Sequence, residues 1–272
     1  MIAALLIAAG LPEIAATAPP GAAKLLVPGT RGYDVSVASS SRAPLVDSNG
    51  WRFRREPSKT FAYENVPDAR LALAAAETHV FGGKAVIVGT NPAKLAPVLA
   101  FLQSIEGPRY PAVADFAVVD DGSTQTGEVL NLLTRRNLLW APIAAFDKRY
   151  PLVVEIGSPR FPRKAAANPS DFASLVRQAL TDEKRSLRVY GSETIVGYLT
   201  AEGGRARLHL LNYSTDPVDG FRVRVLGPWK LAALRAYGQT GLAAEDVESA
   251  RGGLEFGLPR LGLYAVADLE KQ

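Results

Sequence analysis

The chain has 272 residues, 47% of them apolar and 21% charged, enough for a sizeable core in one large domain or two small ones. It contains no cysteine, which excludes disulfides, thiolate metal sites, iron–sulfur clusters and every cysteine nucleophile. No apolar run reaches the roughly 18–20 residues of a membrane-spanning helix, so no integral membrane segment is expected. The 31 basic and 27 acidic residues give a net charge of +4. The cations are spread along the chain in short, interrupted groups such as Arg52–Arg55 and Arg160–Lys164, which argues against nucleic acid as a partner.

At the N-terminus, Ile2 to Ala9 form a short apolar core broken by Gly10 and Pro12. Ala16-Thr17-Ala18 then supplies the small-x-small pattern read by signal peptidase, so residues 1–23 read as a secretory leader and the protein as secreted or periplasmic. No Lys or Arg precedes the apolar stretch, and Pro19 hinders cleavage after Ala18, leaving Gly21-Ala22-Ala23 as another exit. A buried strand or helix of the mature domain is the alternative reading.

Tyr33 to Ala38 alternates in period two and predicts a strand. Trp51, Phe53, Phe61 and Tyr63 also fall on alternate positions, within two short segments separated by Glu56–Lys59, and predict a hairpin or a pair of strands with one aromatic face. Ala69 to Val80 predicts a helix stopped by Gly82-Gly83. Lys84 to Val88 predicts a buried strand, and Asn91-Pro92 opens a second helix running to Ile105. A third cycle follows, with a strand over Asp115 to Asp120 and a helix over Glu128 to Arg136. Leu138 to Ile143 and Leu152 to Ile156 add two further strands. Strands alternating with helices predict an α/β domain over residues 24–185, containing parallel pairs and a connection near 158–170, with one more helix over Asp171 to Lys184.

From Ser186 the period changes to two. Segments 194–200, 205–211, 221–226, 230–237, 254–258 and 261–267 read as strands, and Gly203-Gly204 marks a tight hairpin turn. About seven strands in this stretch predict an antiparallel β-sandwich over residues 186–272, with each half of the chain burying its own interior.

The motif LHLLNYS at Leu208–Ser214, the alternating FRVRVLG at Phe221–Gly227 and the closing LEFGLPRLGLYAVADL at Leu254–Leu269 resemble the C-terminal β-sandwich of many bacterial glycoside hydrolases, including those of β-galactosidase type. Trp51 through Tyr63, the helix around Glu77, and VVDDGS followed by GEVLNLLTRRNLLW between Val118 and Trp140 resemble the amidotransferase-like, flavodoxin-like domain that precedes that sandwich in some of these enzymes. The pairing is also similar to that of a group of exported bacterial proteins. The resemblance implies a scaffolding or oligomerising role for the α/β domain. A catalytic (β/α)8 barrel is not expected, because the α/β part is too short to form one.

Amidotransferase chemistry needs a nucleophilic cysteine and is excluded. There is no Gly-x-Ser-x-Gly elbow for a serine hydrolase and no Walker or dinucleotide-binding glycine pattern. His79 and His209 read as structural or surface residues. Neither a metal site nor a cofactor is expected. The remaining catalytic candidates are Asp120, Asp121 and Glu155, placed at strand ends where open α/β sheets bind ligands, and paired carboxylates there suit acid/base hydrolysis of a glycoside or the holding of a divalent cation. Against this, Asp120 and Asp121 suit an ordinary strand-to-helix turn. The ligand-binding candidates are Trp51, Phe53, Phe61 and Tyr63, which stack on sugar rings if their face is exposed and pack a core if it is not. The sequence therefore suggests an exported, non-catalytic protein that binds carbohydrate or serves assembly. The alternatives are a glycoside hydrolase and a module that forms a homo-oligomer.

Overall fold

In a computed structural model the chain is described over residues 10–30 and 46–272. The strand expected over Tyr33–Ala38 and the first nine residues of the expected leader lie outside the described residues. Strands β1 (Glu13–Ala15), β2 (Ala23–Lys24), β3 (Gly29–Thr30) and β4 (Val46–Asp47) lead into a short helix, α1 (Gly50–Arg55). The chain continues through β5 (Thr60–Tyr63), α2 (Asp68–Phe81), β6 (Lys84–Val88), α3 (Pro92–Gln103), β7 (Phe116–Val119), α4 (Thr124–Arg135), β8 (Trp140–Ile143), β9 (Val153–Val154) and α5 (Pro169–Leu180). The parallel strands form two sheets, ordered β1-β6-β5-β2 and β8-β7-β9, and β3 pairs antiparallel with β4. The first strand lies within the segment read as a leader, and Glu13 to Ala15 pair with Val86 to Val88.

The sequence signals for the long helices act as expected. Asn91 caps α3 by accepting a hydrogen bond from the Ala93 N–H at 3.0 Å, and Ser123 caps α4 by accepting from the Thr126 N–H at 3.1 Å. Helix α2 ends in Gly82, whose φ of 69° lets its N–H turn back onto the His79 carbonyl. Within the predicted connection, Phe161 is buried and packs 5.8 Å from the Phe172 ring of α5.

The first of the aromatic segments is helical, which corrects the expected strand pair. The Arg52 and Phe53 amides donate to the Asn49 carbonyl at 2.8 and 3.2 Å, and α1 follows. In a helix two successive alternate positions lie about 200° apart, so they point in opposite directions. Phe53 accordingly enters the core of the first parallel sheet, with Phe61 and Tyr63 from β5, while Trp51 enters the core of the second, with Phe116 and Trp140. The helix is a wedge between two interiors. It packs so closely that a Cβ on Gly83 would lie 2.2 Å from the Phe53 ring.

The C-terminal half is a sandwich of eight strands: β10 (Leu187–Tyr190), β11 (Ile195–Glu202), β12 (Arg205–Asn212), β13 (Val218–Leu226), β14 (Trp229–Ala236), β15 (Glu245–Ala250), β16 (Gly253–Leu261) and β17 (Tyr264–Lys271). One sheet is ordered β10-β13-β16-β15 and the other β11-β12-β17-β14, and all of their pairings are antiparallel. Gly203 and Gly204, at φ 57° and 85°, make the tight turn that joins β11 to β12.

The expectation of two separate interiors is also corrected. Alternation in β17 sends Ala265, Ala267 and Leu269 into the sandwich core, but Tyr264 and Val266 go into a core shared with α2 and α3. Val196, Tyr198, Leu211 and Tyr213 join them there. The sheet β11-β12-β17-β14 is thus buried on both faces, because helices of the α/β half cover the side that alternation alone assigns to solvent. The chain after α3 adds to the same sheet: the Val113 amide donates to the Leu199 carbonyl at 2.9 Å and the Ala201 amide to the Pro111 carbonyl at 3.0 Å.

Candidate functional site

The expected carboxylates lie at the carboxyl ends of two paired parallel strands. Val118 of β7 aligns with Val154 of β9, so Asp120 and Glu155 follow neighbouring strand ends. Asp120 is already engaged. Arg55, projecting from the wedge helix, donates to it through Nε and Nη2 at 2.8 and 2.7 Å, and the Gly122 amide adds a third hydrogen bond at 3.0 Å. Asp121 accepts from the Ser123 amide at 3.0 Å and the Thr126 hydroxyl at 2.7 Å, and these bonds hold its carboxyl down at about 2. Glu155 is exposed. Two of the three carboxylates are therefore occupied as an ion pair and a turn. Asp121, held ionised by its turn, is not poised as a proton donor at neutral pH.

At the carboxyl edge of the first sheet, a cleft of about 700 Å³ is lined by charged residues that are likewise paired, Asp68 with Lys94 and Glu64 with Lys24. The aromatic candidates do not form a platform. Trp51, Phe53, Phe61 and Tyr63 are all buried, so no ring face is open to a sugar, and the expectation that they bind ligand is corrected on that ground.

Tyr63 instead belongs to a polar knot around Glu77, a carboxylate with no solvent exposure. Tyr63 and Tyr213 each donate a phenolic hydrogen to it at 2.6 Å, Ser48 donates at 3.0 Å, and Asn49 donates through its amide at 2.7 Å and its side chain at 3.0 Å. Burial and the adjacent negative charge push both phenols well above their ordinary range. With five donors on two oxygens, no acceptor capacity is left over for a substrate. The knot joins α1, β5, α2 and the sandwich.

Two residues further along α2, His79 faces a different environment. A cavity of about 310 Å³ lies between the C-terminal ends of α2 and α3 and the helix-covered face of the sandwich. Its floor is buried: His79, Tyr198, Thr200, Arg207 and His209. Its rim is Gln103, Arg109 and Tyr110. Strand β12 alternates Arg207 and His209 onto this face, and β11 contributes Tyr198 opposite His209. The His209 ring lies 6.4 Å from His79, stacks on Tyr264, and shares a 2.7 Å hydrogen bond between its Nδ1 and the Tyr264 hydroxyl. Burial, helped by the neighbouring His79 and by the positive charges of Arg109 and Arg207, holds His209 well below the ordinary histidine range and so keeps it neutral.

Arg207 is aimed by Asp268 at 2.6 Å and by the Glu106 carbonyl at 2.6 Å, with its guanidinium 5.9 Å from the Tyr110 ring. Arg109 donates to the His79 carbonyl at the end of α2, in space that Gly82 leaves open. The cavity thus gathers planar, multidentate polar groups and tyrosine rings around a space large enough for a small ligand. Sequence reasoning treats the two histidines as isolated because 130 positions separate them; only the covering of the sandwich by α2 brings them together. Among the described residues, no group of three or more His, Asp or Glu side chains is placed to hold a metal ion. Nor is any helix among them long and apolar enough to cross a membrane.

No family model and no curated protein matches the chain. Among solved structures it is similar to α-L-fucosidase isoenzyme 2 from Paenibacillus thiaminolyticus, at 10% identity and a TM-score of 0.57, over 82% of this chain and 62% of that one. An exo-carrageenase of Bacteroides ovatus aligns at 8% identity and a TM-score of 0.38, over 92% of this chain and 47% of that one. The chain spans less than two thirds of the fucosidase it matches. The fucosidase likeness shows that the succession of α/β layers and antiparallel sandwich occurs in a glycoside hydrolase structure.

Proposed function

We propose that this is a carbohydrate-binding protein without glycosidase activity, and that its ligand is a sugar residue held in the cavity between α2, α3 and the sandwich. The observation that carries the reading is the composition of that cavity. Arg207, His209 and Thr200 on the floor and Gln103 and Arg109 on the rim offer donors to vicinal hydroxyls, and Tyr110 and Tyr198 offer ring surface. Its volume lies near the lower end of the roughly 300–1,000 Å³ typical of small-ligand sites, which suits one sugar residue better than an oligosaccharide. The lack of glycosidase activity follows from the occupied states of Asp120 and Asp121. The α/β half then acts as the amidotransferase-like, flavodoxin-like scaffold that braces the cavity. Export to the periplasm or beyond rests on the apolar Ile2–Ala9, not on cleavage at Ala16-Thr17-Ala18, which would remove β1 from its pairing with β6.

Isothermal titration against a panel of monosaccharides tests the proposal. At least one should bind, and Arg109→Ala and Tyr110→Ala, both at the rim, should each weaken it ten-fold or more while leaving the unfolding midpoint nearly unchanged. A panel without binding, or rim variants that bind as the parent does, overturns it.

A further inference from the structure

A second cavity, of about 440 Å³, opens where the C-terminal ends of α4 and α5 meet β10. Five arginines line it, Arg135, Arg136, Arg177, Arg185 and Arg188, with Glu193 as its lone carboxylate. The neighbouring acid, Asp182, is shared three ways. Arg177 grips it with a two-point fork, Arg185 donates to it at 3.1 Å and Arg188 lies 3.8 Å away. These contacts hold the Asp182 carboxyl well below the usual carboxylate range.

Some of this charge has a structural reason. Arg185 also donates to the Arg136 and Asn137 carbonyls, closing the end of α4, where a cation is favoured by the helix dipole. That account leaves a surplus. Among the described residues, the Arg136 guanidinium donates only to the neutral hydroxyls of Ser174 and Ser170, at 3.0 and 2.7 Å. Arg188 rests over the Tyr190 ring at 4.8 Å, and its ion pair among the described residues, at 3.8 Å, is with the acid already held by two others. The Arg185 side chain is 8% exposed, yet its Nε has no hydrogen-bond partner among the described residues, and neither does the Arg136 Nε. Leaving Arg135 aside, four guanidinium groups, those of Arg136, Arg177, Arg185 and Arg188, face two carboxylates, Asp182 and Glu193, among the described residues, and with buried donors unspent they are arranged as for a planar or tetrahedral oxyanion.

We infer that this arginine-lined cavity is a binding site for a multiply charged oxyanion, the chemistry shared by free phosphate or sulfate and by the sulfate or phosphate ester of a larger molecule. Asp182 acts as the internal counter-ion that the ligand competes with. The site is separate from the cavity assigned to sugar and stands independently of that assignment.

The test titrates the full chain with sodium phosphate and sodium sulfate, against sodium chloride at matched ionic strength, followed by calorimetry and thermal unfolding. Phosphate or sulfate should bind saturably and raise the unfolding temperature, and chloride should do neither. Arg136→Gln, whose partners are neutral, should fold normally and weaken binding ten-fold or more. Asp182→Asn should tighten it several-fold, an outcome a merely structural cluster does not produce. A sulfated sugar that binds more tightly than its desulfated counterpart identifies an ester as the source, and equal binding of the two identifies the free anion. Equal stabilisation by chloride, or unchanged affinity in Arg136→Gln, overturns the inference.

Discussion

Helix α2 carries two buried polar clusters, and they differ in what they leave open. Around Glu77, five donors converge on a single carboxylate and fill the space between them. Around His79, two residues on, the side chains hold one another in place and still enclose a cavity. Both clusters join the α/β half to the same sheet of the sandwich, through Tyr213 in one case and His209 in the other. Burial of polar groups is therefore a property of structural knots and of ligand sites alike. What separates them is spare hydrogen-bonding capacity next to unfilled space.

If the Glu77 knot serves stability, breaking it should give the largest loss of folding free energy of any substitution considered. Glu77→Ala strands the Tyr63 hydroxyl and the Asn49 amide in a dry interior and leaves Tyr213 only Ser48, at 2.9 Å, and the Asn49 side chain only the Leu26 carbonyl, at 2.9 Å, among the described residues. Each unsatisfied group costs about 1–3 kcal/mol, and partial rearrangement leaves an expected total on the order of 3–5 kcal/mol. Urea unfolding followed by tryptophan fluorescence would show it. A loss below about 1 kcal/mol would place Glu77 with the ligand-facing residues and dissolve the contrast.

The sequence makes the elements of both halves legible and the contacts between the halves almost invisible. Asn91, Ser123 and Gly82 mark helix ends through local chemistry, and Gly203-Gly204 marks a turn because the backbone there needs positive φ. Trp51 and Phe53 mislead because two alternate positions fit a strand as well as a one-and-a-half-turn helix that serves two cores. The edge strand β15, rich in Glu and Asp, escapes a pattern search because it is exposed and owes its place to pairing with β16. The alternation of β12 is plain, yet nothing local reveals that helices cover its second face, which is why His79 and His209 read as unrelated. The partner of Asp120, Arg55, is hidden for the same reason, lying 65 positions away on a misread segment.

The second cluster carries a pH signature on the acid side of neutrality. Because His209 is held neutral in the folded protein, the unfolded chain takes up more protons below its ordinary value of about 6.5. Stability should be complete above about pH 6.5 and should fall as pH drops towards the depressed folded value, by at most about 1.4 kcal/mol per pH unit. Urea midpoints at pH 7.5, 6.0 and 5.0 measure the slope, and His209→Asn should flatten it. An unchanged slope in that variant would mean that the titrating group lies elsewhere and that the cavity floor is not held in a single protonation state.

The strand-end carboxylates give the smallest effect and fix which side of the contrast they belong to. Asp121 lies at the start of α4, exposed, accepting from Ser123 and Thr126 as a residue of an ordinary turn does. Asp121→Asn preserves the shape and removes a charge near the positive end of the helix dipole, so the expected cost, discounted for solvent screening, is below about 1 kcal/mol. Since that carboxyl titrates at about 2, the difference between parent and variant should be present at pH 5 and should fade only as pH falls towards 2. Turnover of chromogenic glycosides, assayed alongside, decides the chemistry: activity in the parent that vanishes in Asp121→Asn would move this turn from the saturated class to the working one, and with it the non-catalytic reading of the whole chain.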